Sequence, residues 1–202
     1  MMLLDLKVCD GVVVDLAGNS FTSTPPPTSN GKYINIDNKY TIASGSPVLG
    51  NILVANENWT IGYDVMITKS LIGGWQSVLV DDGYNYSAQL TDSASSAPGF
   101  RINNTSYNIK GKENLVVNRL SKVRLINDTS KLSLYINGTL NDQIASKDFV
   151  FNTLNIGYNY TGKQGFDYGL FKRIFIAKDI LISNYNVLYI GENKNVYKII
   201  KK

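Results

Sequence analysis

The stretch "LSKVRLINDTSKLSLYINGTL", Leu120 to Leu140, carries the clearest structural signal in the chain. In its first half, Val123 and Leu125 alternate with Lys122 and Arg124. In its second half, Leu132, Leu134 and Ile136 share one side. A period of two places alternate side chains on opposite faces of a strand, so each half reads as a strand with one apolar face. Asn137-Gly138 follows directly. Both residues tolerate positive φ, and Asn-Gly between alternating runs is a strong hairpin signal.

The same period extends outward in both directions. In "WTIGYDVMI", Trp59, Ile61, Tyr63, Val65 and Ile67 lie on one face. Further strand candidates are "YINI", "WQSVLV", "YSAQL", "GFRINN", "NLVVN", "FVFNTLNIG" and "GLFKRIFIAK". Turn residues recur at Gly18-Asn19, Asn30-Gly31, Gly73-Gly74, Asp82-Gly83, Pro98-Gly99 and Gly191. Many short strands at such intervals predict an all-β, two-sheet antiparallel sandwich or jelly roll. A helical period fits only "ISNYNVLYIG", where Ile182, Tyr185, Leu188 and Tyr189 are spaced for a short turn of helix. "STPPPTSNG" reads as a surface loop, because proline cannot donate to a sheet. At 202 residues the expectation is one domain over residues 1–202, with a short basic tail over 191–202.

Composition narrows the function classes. Charged residues make up 18% and the net charge is +4, with lysines and arginines scattered singly and not gathered on one face. That pattern argues against nucleic-acid binding. Cys9 is the sole cysteine, so no internal disulfide forms, and its apolar neighbours predict a small buried hydrophobe. The opening "MMLLDLKVCDG" brings in Asp5 and Lys7 too early for a signal peptide. No apolar run nears the roughly 20 residues of a membrane span. The expectation is a chain made in the cytoplasm and not inserted in a membrane. Sequon-like triplets at Asn58, Asn104, Asn127, Asn137 and Asn159 read as turn and strand-edge residues.

Four stretches, in order, resemble the concanavalin A-like jelly rolls of the laminin-G and pentraxin kind. They are "VVVDLAGNSFTST", "GKYINIDNKYTI" with "NENWTIGYDVMI", the Leu120–Leu140 pair, and "LNIGYNYTGKQGFDYGLFKRIFIAKDILISNYNVLY". The resemblance spans about residues 12 to 190. It implies two stacked antiparallel sheets, one of them curved, with rim loops available for binding. That fold hosts lectins, glycosidases, adhesion modules and virion proteins, so function rests on the site.

A glycosidase on such a scaffold needs two carboxylates projecting from one face. The only glutamates are Glu57, Glu113 and Glu192, none with an acidic neighbour two residues away. Asp81 and Asp82 are adjacent and point to opposite faces of a strand. With no histidine, the commonest general base is missing. The reading is a protein that is not an enzyme. "GYNY" occurs twice, as Gly83–Tyr86 and Gly157–Tyr160. Tyr84 pairs with Tyr86, and Tyr158 with Tyr160, on single strand faces, offering rings for stacking and hydroxyls for hydrogen bonds. Together with Lys163, Asp167 and Tyr168 they form the candidate ligand or partner surface, and Asp81, Asp82 and Asn85 a speculative calcium site. Equally, these tyrosines can be ordinary strand residues over the core.

Richness in asparagine, lysine, isoleucine and tyrosine, without histidine, resembles a bacteriophage product. The expectation is a virion accessory protein, either capsid decoration or a host-adhesion and tail-fibre subunit. Its partners would be other virion proteins or cell-surface glycans, in a homo-oligomer or a larger assembly. The alternative is a free carbohydrate-binding lectin with calcium. A remnant glycoside hydrolase stands third.

Overall fold

The computed structural model describes residues 1–22, 27–37, 39–70, 76–81, 86–91, 97–102, 109–159, 169–180, 185–188 and 198–201. Its regular elements are strands. In chain order they begin with β1 (Met2–Cys9), β2 (Val12–Asp15), β3 (Thr28–Ser29), β4 (Ile34–Asn35), β5 (Tyr40–Thr41) and β6 (Ile52–Leu53). Next come β7 (Asn58–Ile67), β8 (Gln76–Val80), β9 (Tyr86–Thr91), β10 (Gly99–Ile102), β11 (Ile109–Lys110) and β12 (Leu120–Asp128). The last are β13 (Lys131–Ile136), β14 (Thr139–Ala145), β15 (Phe149–Val150), β16 (Asn155–Asn159), β17 (Gly169–Ala177), β18 (Tyr185–Leu188) and β19 (Lys198–Lys201).

Two antiparallel sheets dominate. The first runs β14-β13-β12-β7-β17-β1-β2, with β4 continuing the lane of β1 along β17 and β3 beside β4. The second runs β11-β10-β9-β8-β16-β5. Alternation in the sequence becomes cross-strand rows. On the first sheet, Leu4, Ile176, Ile61, Leu125 and Leu134 stand side by side, all buried. On the second, Tyr40, Ile156, Leu79, Ala88, Phe100 and Ile109 form a matching buried row. These faces belong to one hydrophobic cluster, and each fully buried large side chain contributes about 1.5–3 kcal/mol. At one side the sheets close on each other through side chains of β14. Asp142 accepts from the N–H of Lys110 at 3.1 Å, and Asn141 from that of Lys112 at 3.2 Å.

Tyr63 ties the layers together across the core. Its hydroxyl donates to the Gln89 carbonyl of the opposite sheet at 2.8 Å. Burial pushes this phenol well above its ordinary range, and the Arg124 charge opposes the shift only in part. A folded pKa raised above that of the unfolded chain gives stability that is complete below about pH 10 and lost as pH rises through the folded value. Tyr63→Phe is therefore expected to cost about 1 kcal/mol at neutral pH. Denaturant melts at successive pH values should show this deficit shrinking above about pH 10.

Three expectations are corrected. Cys9 is exposed, because the apolar run ends at a hairpin tip where Asp10 and Gly11 both take positive φ. Tyr185–Leu188 is a strand, since it pairs with Lys198–Lys201 and that partner overrides its helical spacing. Asn127 is buried and donates to the carbonyls of Ala55 and Glu57, bridging β12 to the chain before β7.

Candidate functional site

The outward faces of the two sheets differ in what they leave available. On the first, charges are spent on one another. Arg173 donates to Asp5 at 2.6 Å, Lys7 lies 3.4 Å from the same carboxylate, and Arg124 pairs with Asp64. Both guanidiniums lie over the Phe175 ring, at 4.8 and 4.7 Å from its centre, each within cation–π range. Burial lowers the Arg124 pKa, and the adjoining Asp64 carboxylate opposes the shift.

On the second sheet, strand pairing aligns Thr41, Asn155, Val80, Ser87 and Arg101 in one cross-strand row. Each precedes or follows a member of the inward apolar row, so the pleat turns this row to the other face. Thr41 donates its hydroxyl to the Asn155 amide oxygen at 2.7 Å. Asn155, Ser87 and Val80 are buried, while Thr41 and Arg101 at the two ends are half-buried. Gln89 stands two residues beyond Ser87, between the core residues Ala88 and Leu90, and so shares the outward face. It is buried, and its amide oxygen has no hydrogen-bond partner. The amide oxygen of Gln76 on β8 is in the same state. A buried acceptor without a donor costs about 1–3 kcal/mol, so both amides lie in the layer of this face that is closed to solvent. The row contains no carboxylate.

The tyrosine and calcium candidates fall around this sheet. Asp81 and Tyr86, the last residue of the first GYNY copy, clasp each other: Asp81 N–H donates to the Tyr86 carbonyl at 3.1 Å, and Tyr86 N–H to the Asp81 carboxylate at 2.9 Å. Asp81 is thus a hairpin clasp. The Tyr86 ring packs on Phe149 with centres 5.0 Å apart, half-buried against the core. Burial raises its phenol pKa, helped by the carboxylates of Asp81 and Asp148. Tyr158 belongs to β16, opposite Ser77. Because β16 is antiparallel to β8, Asn159 stands by Gln76 at one end of the sheet and Asn155 by Val80 at the other. Asn159 therefore lies at the end of the sheet opposite to Asp81. Tyr84, Asp82, Asn85, Tyr160, Lys163, Asp167 and Tyr168 lie outside the described residues. Among the described residues, no three histidines, cysteines or acids cluster as a metal site.

Sequence reasoning passed over Gln89, Arg101 and Asn155. Their strands were legible, but only pairing across five strands sets Asn155 and Arg101 in one row with Gln89 beside it.

The sequence matches no family model and no curated protein. Solved structures do match. The binding domain of Paraclostridial Mosquitocidal Protein 1 superposes with a TM-score of 0.64 at 13% identity, over 89% of this chain and 49% of that one. Botulinum neurotoxin type C gives 0.61 at 16% identity, over 89% and 48%. The chain thus spans about half the length of these two structures. The CBM40 domain of the Ruminococcus gnavus IT-sialidase, bound to α2,3-sialyllactose, gives 0.52 at 16% identity, over 75% of this chain and 90% of that one. In fold, the chain is an all-β, two-sheet antiparallel sandwich of the concanavalin A-like jelly-roll kind.

Proposed function

We propose that this chain is a non-catalytic carbohydrate-binding module that meets its glycan on the outward face of the second sheet. The observation that carries the reading is the polar row Thr41, Asn155, Ser87 and Arg101, whose accessible members are Thr41 and Arg101 at its two ends. A polyol donates hydroxyl hydrogens to such acceptors and accepts from such donors, and a row of described residues without paired carboxylates suits holding a sugar better than cleaving it. The structural likenesses add support: one neighbour was solved with sialyllactose, and another is described as entering cells through two ganglioside molecules. They favour the lectin reading over the virion role suggested by composition, for which no likeness speaks. The proposal needs no calcium, because its polar contacts come from side-chain amides, hydroxyls and one guanidinium.

Binding to a sialylated and neutral glycan array, with and without a chelator, tests this. Retained binding in the chelator is expected. Arg101→Ala should weaken the best ligand about tenfold or more, near 1.4 kcal/mol, with the melting temperature held. Absence of any glycan binding would remove the reading, and undiminished binding by the variant would move the site elsewhere.

A further inference from the structure

The outermost lane of the first sheet consists of β2 with β3 end to end beside it, joined where Ser29 donates its hydroxyl to the Gly11 carbonyl. The other edges of the two main sheets are blunted. β5 and β11 are two residues each, and β14 carries a bulge between its partners Leu134 and Tyr135, with Asp142 turned to Lys110. β2 has no lysine, proline or bulge, the usual guards of an edge strand.

The backbone of this edge is poised to pair. The two-residue turn at Asp10-Gly11 makes Cys9 and Val12 a hydrogen-bonded pair, and Leu16 N–H donates to Asp5 O at 3.0 Å, in step with it. The alternation makes Lys7 and Val14 a bonded pair as well, so Val13 and Asp15 turn their backbone groups away from β1. Asp15 C=O accepts from Gly18 N–H at 3.3 Å and keeps a second lone pair. Val13 N–H, Val13 C=O and Asp15 N–H have no partner among the described residues.

We propose that β2 pairs with β2 of a second copy of this chain, antiparallel about a two-fold axis through Val14. In that register Val13 of each chain exchanges both backbone bonds with Asp15 of the other. On the outward face, Val12 meets Leu16 of the second copy, and Val14 meets its own equivalent. Val12 and Leu16 are 62% and 50% exposed in the single chain, and this pairing brings them together twice. The one charge on the edge does not oppose it. The Asp15 carboxylate is occupied within its own chain by the N–H groups of Asp5, Ala17 and Asn19 and by the Asn19 amide. A contact of five residues a side is small, so the dimer forms in the micromolar range.

Sedimentation of the full chain at about 100 µM, well above a micromolar dissociation constant, should show a two-chain particle that dissociates on dilution. V14K sets like charges on the axis and should give monomers with a wild-type melting temperature. V12K should also dissociate the pair, and V12K with L16E should restore it, because opposite charges then face each other twice. A wild-type chain that stays monomeric, a V14K variant that still pairs, or a double variant no better than V12K would each overturn the proposal.

Discussion

Gly62→Ala is expected to destabilise this protein by about 3 kcal/mol, lowering its melting temperature by about 6–12 °C. Gly62 sits on β7 directly between Arg124 of β12 and Phe175 of β17. A Cβ there would stand 2.6 Å from Phe175 Cζ, 2.7 Å from Cε1 and 2.8 Å from Arg124 Cδ. The ring cannot simply tilt aside, because two guanidiniums pack against it and each is tied to its own carboxylate. Moving Phe175 would loosen two ion pairs that are largely withdrawn from water, where a lost partner is expensive. A double-mutant cycle separates this from a generic effect of alanine in a strand. In a Phe175→Leu background, Gly62→Ala should cost clearly less than in the wild type, since the two ring atoms that collide are gone and only Arg124 Cδ, on a flexible side chain, still has to shift. An equal cost in both backgrounds would show that the ring is not the obstacle.

The second large effect is expected at Asp15. Its carboxylate accepts from Asp5 N–H at 2.7 Å, Ala17 N–H at 3.1 Å and Asn19 N–H at 2.8 Å, as well as from the Asn19 side chain. Asn19 in turn donates to Leu3 O at 2.7 Å and accepts from Val48 N–H at 2.9 Å, linking β1, the end of β2 and the turn around Val48. Asp15→Ala strands several donors at once and should cost about 3–5 kcal/mol by chemical denaturation. Asp15→Asn is the sharper probe. It keeps the shape but presents an amide N–H₂ to one set of donors, so it should recover less than half of the loss. Near-complete recovery would mean that negative charge and acceptor count matter little there. The stretch Asp15-x-x-Gly18-Asn19 is thus a structural clasp.

The local pattern was readable where a side chain's role follows from its immediate neighbours. Val123, Leu125, Leu132, Leu134 and Ile136 all reached the core, and Asn137 took the positive φ that its turn required. Cys9 was misjudged because apolar neighbours report strand character, not where along its length the strand leaves the core. Tyr185–Leu188 was misjudged because a spacing of three and four in so short a run is weak beside the hydrogen bonds offered by Lys198–Lys201. Tyr86 has the composition of a contact residue, yet its place beside Phe149 makes it part of the wall of the core.

The amino-acid order by itself determined the strand period, the hairpins and hence the two-layer class, because alternation and turn chemistry act over a few bonds. The tertiary structure alone decided which strands became neighbours. Arg173 finds Asp5 across 168 positions, and Thr41 finds Asn155 across 114. No periodicity encodes such meetings; they follow from closing two sheets over one apolar interior, which settles register between distant strands all at once. The polar row of the second sheet and the unguarded edge of the first are products of that closure.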